Sequence, residues 1–263
     1  MTGADFRILF VADVVGHPGR EAVKAILPAL KEELGADLTI VNGENAAGGF
    51  GLTAKIVSEL KGHGADVITT GNHVFAQKEF VGELPSLERV LRPANYPPDA
   101  PGRGWTVVEV DGTKALVMNL IGRIFLDSFD DPFRAADAIL QANPDVRIVF
   151  CDMHAEATSE KSAMGWFLNG RVSAVVGTHT HVPTADARVL PGGTAYVTDV
   201  GMVGPRDSCI GMDKDIVLQR FRTGVPTRFV VASGPVTFNS VLVTINSSSG
   251  QATSIQRVDR EHV

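Results

Sequence analysis

The segment Arg171-Val172-Ser173-Ala174-Val175-Val176-Gly177-Thr178-His179-Thr180-His181 decides how this chain is read. Residues 171–176 form a short apolar run of the kind that makes a buried strand. In extended backbone, residues two apart project to the same side. His179 and His181 would then present both imidazoles to one face, and Thr178 and Thr180 would point to the other. A lone histidine is by default a satisfied core or surface residue. Two in phase, ending a buried strand and just before Pro183, need a shared purpose. Neutral imidazole is a common transition-metal ligand, and a strand end delivers it rigidly to a sheet edge. The pair is therefore read as part of a metal site, and the rest of the chain has to supply oxygen donors.

Outward from that segment, an apolar run closed by a polar tip recurs. Residues 6–12 end at Asp13, 36–41 end in Asn42-Gly43-Glu44-Asn45, 66–70 end in Gly71-Asn72-His73, and 146–151 end in Asp152-Met153-His154. Helical patterns lie between them. One follows a turn at 14–20 and runs to about residue 34 with a kink at Pro28, and another runs from a Thr53 cap to about 63. Further helices cover 132–142 and 158–169, the latter capped by Thr158 or Ser159. Repeated strand, tip and helix predicts a parallel sheet with its functional residues at the carboxyl ends of the strands. Residues 105–110 and 114–120 flank Asp111-Gly112 as a hairpin, 195–198 is a strand ending at Asp199, and 228–258 is mostly β with a turn at 247–250. Two mixed sheets packed face to face with helices outside are expected.

No composition break, repeat or low-complexity tract divides the 263 residues, so 1–263 is read as a single domain. The net charge of −6 excludes a strongly basic nucleic-acid platform, and no stretch is long enough to span a bilayer. Residues 1–13 lack the pattern of a signal peptide. Cys151 and Cys209 are too few for a disulfide framework and are read as buried and inert; a reducing cytoplasm is the expected setting. His17, His63 and His262 are read as surface residues, and Gly48-Gly49-Phe50-Gly51 as a plain loop.

The collected tips are Asp13, Glu44, Asn45, Asn72, His73, His154, His179 and His181. Two carboxylates, two amides and four imidazoles, with no thiolate, suit iron, manganese or zinc rather than calcium. They are too many for one tetrahedral ion. A dinuclear site uses them naturally, with a bridging carboxylate holding two cations about 3.5–4 Å apart over one phosphate.

The order Asp, Glu-Asn, Gly-Asn-His, His, Gly-Thr-His-Thr-His resembles the calcineurin-like metallophosphoesterases. The phrases DVVG (13–16), NGEN (42–45), GNH (71–73), HAEATSEK (154–161), GTHTHV (177–182) and TDVGM (198–202) are similar to the YmdB-like branch and span nearly the whole chain. The resemblance implies an α/β fold, a four-layer α-β-β-α sandwich of two mixed β-sheets flanked by helices. It also implies hydrolysis of small phosphodiesters, 2′,3′-cyclic nucleotides in that branch, with two metal ions, iron by association. By the same resemblance Asp13, Asn45 and His181 hold the first metal, Asn72, His154 and His179 hold the second, and Glu44 bridges. His73 is the implied proton donor to the leaving oxygen. The chain departs from the wider superfamily at Asp13-Val14-Val15, where an Asp-x-His start is usual, so one histidine ligand is absent and Asn45 would compensate. Asn45 also stands where the superfamily has arginine after its acidic residue.

Around this centre, Lys161 is read first as part of a helix opening and second as a phosphate contact. Asp199 and Asp207 are read as support for the ligands, and loops 91–104 and 122–132 as the source of substrate choice. The rival functions are a broad phosphomonoesterase, or a regulatory, RNA-associated metal-binding protein with little turnover. The acidic charge weighs against extended RNA contact. Self-association is compatible with the sequence, and no membrane partner is expected.

Overall fold

The computed structural model describes residues 5–263; residues 1–4, part of the segment read above for a leader, lie outside it. Its first six-stranded sheet has the spatial order Ala252–Arg257, Ser240–Asn246, Asp5–Val11, Leu38–Asn42, Val67–Thr69, Val90–Leu91. The last four strands run parallel, and Ser240–Asn246 joins them antiparallel to Asp5–Val11. The second sheet runs Arg188–Val189, Ala195–Val197, Ala174–Thr178, Ile148–His154, Thr113–Ile121, Trp105–Val110, with the predicted hairpin at its edge.

Strands covered on both faces read as near-continuous apolar runs. Phe6, Ile8 and Phe10 of Asp5–Val11 face the second sheet, where Ala115, Val117, Phe150, Ala174 and Val176 meet them. Leu9 and Val11 face the other way, onto the helices Gly16–Leu34 and Ala54–Gly62. Leu116, Met118, Val149 and Cys151 likewise back onto Pro132–Ala142 and Thr158–Phe167. The result is helix, sheet, sheet, helix, the predicted four layers. The two-residue strand Asp13–Val14 leaves the first sheet and pairs in parallel with Met202–Pro205, in a third sheet of four strands that the sequence did not suggest. Among the described residues no helix is long and apolar enough to cross a membrane.

Several boundaries differ from expectation. The histidine-bearing strand is Ala174–Thr178, while Arg171 is exposed. His179 and His181 lie beyond its end at φ 97° and 63°, so left-handed kinks aim them, not strand alternation. His154 is the last residue of its strand rather than a tip beyond it. The first helix begins at Gly16, inside the predicted turn, and runs on through Pro28 to a left-handed Gly35. Thr53 caps its helix as read, accepting from the Ile56 N–H. Thr158 and Ser159 do not cap theirs; Ala157 occupies that position without a side-chain bond. Lys78–Glu83 and Lys214–Thr223 are helices the sequence reading passed over.

Phe10 and Phe150 stack across the two sheets with centroids 5.4 Å apart, and both are fully buried. Phe10→Ala should therefore cost about 3–5 kcal/mol in urea unfolding. A loss below about 1 kcal/mol would contradict close packing at this interface.

Candidate metal centre

All eight residues predicted for the site converge at one edge of the two sheets. Beyond Leu38–Asn42 the chain turns, with the Glu44 N–H donating to Asn42 Oδ1 at 3.2 Å. Glu44 Oε1 then stands 3.2 Å from His154 Nε2, at the end of the neighbouring sheet. Beyond Val67–Thr69 comes Gly71, where a Cβ would overlap Glu44 Oε2 and His154 Nε2; only glycine lets the backbone pass this close. Asn72 Oδ1 lies 3.0 Å from His154 Nε2, and His179 Nδ1 lies 3.1 Å from the same nitrogen. On the other side of Glu44, Asn45 Nδ2 is 3.0 Å from both Glu44 Oε1 and His181 Nε2. Asp13 Oδ1 is 3.9 Å from His181 Nε2, and Asp13 Oδ2 accepts the His179 N–H at 3.3 Å. His73 Nδ1 sits 2.8 Å from Asn45 Oδ1. Two donor clusters result, Asp13 with Glu44 and His181, and Glu44 with His154 and His179.

Residues outside the predicted set hold these side chains in place. Thr178 Oγ1 donates to Asp152 at 2.7 Å and therefore accepts from His154 Nδ1 at 2.9 Å, which leaves Nε2 with its lone pair toward the centre. His181 Nδ1 donates to the Ile210 carbonyl at 2.9 Å, with the same effect on its Nε2. Glu156 Oε2 lies 3.1 Å from His179 Nε2 and leaves Nδ1 facing His154. Asp199 was read as supporting the ligands, and it does lie beneath the histidine loop. It accepts from Lys161 Nζ at 2.6 Å and from the Thr180 N–H and Oγ1 at 3.1 and 2.8 Å. The phosphate role considered for Lys161 is thereby excluded, because its ammonium is buried in this pair. Asp207 is exposed and pairs with Arg206, away from the ligands.

Burial raises the Asp13 carboxyl well above its ordinary range, helped by Glu44, Asp199 and Asp152 and opposed by His154. Burial alone would lower the His154 imidazole, but Glu44, Asp13 and Asp152 overcome it and bring it up to about 9. Burial lowers His179 to about 3, with His154 adding to the shift, and burial also lowers His73 and His181. Glu44 moves the opposite way from what its burial favours, because His154, His73 and His179 stabilise its charge.

A cavity of about 550 Å³ opens over the centre. Its floor is Glu44, Asn45, His73, His179 and His181; its walls include Phe50, Cys209, Ile210, Met212, Arg220, Phe221 and Phe229. Cys209 is half-buried and lines this space, contrary to its reading as a buried residue, whereas Cys151 is buried as expected. Among the described residues, none of the lining comes from 91–104 or 122–132; the wall is built by 209–229 instead. Asp213, which caps Lys214–Thr223, and the left-handed Gly224 that ends it were the available signals for that helix.

The donor chemistry fits a metal pair. His154, His179, Asn72 and Glu44 turn acceptor atoms toward one point, and Asp13 Oδ1 is buried without a hydrogen-bond partner. Buried acceptors in that position need a cation. The four layers match the fold that the metallophosphoesterase resemblance implies. Residues 9–258 match the model of the YmdB-like protein family, and the chain belongs to that family. It is 50% identical over 253 residues to a 2′,3′-cyclic-nucleotide 2′-phosphodiesterase of Bacillus subtilis, covering 96% of each chain. A crystal structure of a hypothetical protein from Thermus thermophilus superposes with TM-score 0.93 at 44% identity, covering 98% of this chain and 100% of that one. A phosphatase from Mycoplasma pneumoniae also gives TM-score 0.93, at 32% identity over 98% of this chain and 94% of its own.

Lys161 and Asp199 are each about 1% exposed, so Lys161→Met strands a carboxylate in the interior. Urea unfolding should show a loss of about 3–5 kcal/mol, with Lys161→Met/Asp199→Asn recovering much of it. A single variant as stable as the parent would mean that the pair does not anchor the histidine loop.

Proposed function

We propose that this chain is a metal-dependent phosphodiesterase acting on small phosphodiesters, with 2′,3′-cyclic nucleotides as its substrate class. The observation that carries this reading is the pair of donor clusters sharing Glu44 beneath an open cavity. Asp13, Asn45 and His181 would hold one ion and Asn72, His154 and His179 the other, with Glu44 as the carboxylate shared by both. Iron is the favoured metal, with manganese and zinc as the other candidates for a mixed oxygen and imidazole set. Such a pair, when bound, supplies the positive charge that holds a phosphoryl group and acidifies water. The B. subtilis relative supports the substrate class by its name and its coverage of both chains.

Asn45 presents Nδ2 to Glu44 and His181, and Oδ1 to His73. Burial lowers the His73 imidazole, and the Glu44 carboxylate 3.6 Å away acts in the opposite sense. A departing alkoxide needs a proton, and a His73 imidazolium beside the cavity, its Nδ1–H held by Asn45 Oδ1, can deliver one and become the neutral ring. Phosphomonoesters fit the same residues as slower substrates.

His73→Ala should leave metal content near that of the parent and lower turnover of a 2′,3′-cyclic nucleotide by roughly 10²–10⁴-fold. Parent-like rates in that variant would remove His73 from the reaction. Asp13→Asn and His179→Ala should instead lose metal by elemental analysis, together with activity. Chelator should abolish cleavage of a chromogenic phosphodiester and added Mn²⁺ should restore it; cleavage that survives chelation refutes the metal-dependent reading.

A further inference from the structure

The floor of the cavity is polar, but its mouth is aromatic. Phe50 is 38% exposed, and its ring lies edge-on to His73 with centroids 5.0 Å apart. Phe221 lines the same cavity yet is 80% exposed, although nothing in helix geometry requires a bare phenylalanine there. It lies four residues after Val217, which is buried against the cavity, so both are on one face of Lys214–Thr223. Arg220 is the only lysine or arginine among the described lining residues, and its guanidinium lies over the Phe229 ring at 5.0 Å from the centroid. A phosphate at the floor leaves this mouth empty. Two exposed rings and a flat cation suit a planar, electron-rich group carried by the same molecule.

We propose that the mouth formed by Phe50 and Phe221 is a nucleobase subsite, occupied by the base of the nucleotide whose phosphate lies at the centre. It favours purines over pyrimidines because stacking scales with ring area. This rests on the phosphodiesterase reading for the phosphate end of the ligand. The base site is continuous with the centre, and its one contact with the proposed chemistry is Phe50 against His73, the proposed proton donor. Phe221 is therefore the residue that separates base recognition from chemistry.

The test uses the metal-loaded chain and its Phe221→Ala variant, titrated by calorimetry with adenosine 3′-monophosphate, uridine 3′-monophosphate and base-free ribose 3-phosphate. The parent should bind the adenosine compound roughly 5- to 100-fold more tightly than the base-free one, with uridine between them. Phe221→Ala should lose most of that advantage and keep its affinity for ribose 3-phosphate. In turnover, KM for adenosine 2′,3′-cyclic phosphate should rise in the variant with kcat little changed. Equal affinity of the parent for all three ligands overturns the subsite, as does a variant that weakens all three alike or none. If the binding preference holds and is lost in the variant, but no cyclic nucleotide is cleaved, the base site stands and the phosphodiesterase reading falls.

Discussion

A buried carboxylate that ties the two sheets together sets the geometry of the whole site. Asp152 lies fully buried within the strand Ile148–His154 of the second sheet. From the first sheet it accepts Asn42 Nδ2 at 3.0 Å and the Thr69 hydroxyl at 2.5 Å, and from its own sheet it accepts the Thr178 hydroxyl at 2.7 Å. Burial raises its pKa, while those three donors and His154 work to keep it charged. The apolar interface around Phe10 and Phe150 holds the sheets together, but apolar contacts are not directional. The Asp152 bonds supply direction at the edge where the ligands emerge. Because Thr178 spends its single proton on Asp152, it can only accept from His154. Sheet packing and the tautomer of a candidate ligand are thus set by one hydroxyl.

From that tautomer the rest of the electrostatics follows. His154 Nε2 faces Glu44, Asn72 and His179, so the interior gathers negative and lone-pair density at one point. In the metal-free chain the least costly response is a proton on His154, and the carboxylates bring that imidazole up to about 9 despite its burial. Proton and cation compete for the same place, so ion binding has to release the proton. The Lys161–Asp199 pair lies outside this competition. It holds the Thr180 backbone and hydroxyl, and with them the two left-handed histidines on either side.

The convergence of the candidate site residues and the four layers were legible in the sequence because both are written locally. Apolar runs with polar tips specify strand ends, and a parallel sheet gathers strand ends on one edge. His179 and His181 were assigned to the site through the wrong geometry. Strand alternation does not extend past Thr178, and positive φ at two histidines is a tertiary demand that no local pattern announces. Asp152 was visible only as the first residue of the polar tip after 146–151, two residues before His154. Its partners Asn42 and Thr69 are 110 and 83 residues away, so its role emerges only when the sheets meet. Glu156 lies outside the predicted site, and its contact to His179 depends on the same kinks.

The missed wall has a different origin. The floor comes from strand ends whose backbones are fixed by ladders on both sides, so its residues are rigid and their order in the sequence is informative. Apart from Phe50, the mouth comes from 209–229, a turn and a helix of about 2.8 turns with one buried residue, Val217. A helix so weakly anchored has a faint periodic signal and can change its exposed side chains without disturbing Asp152, Glu44 or the histidines. The floor and the mouth are therefore carried by segments under separate physical constraints. On the proposed reading, substitutions in the helix would alter which base is held while the candidate ligands, locked by the sheet-to-sheet bonds, stay where they are.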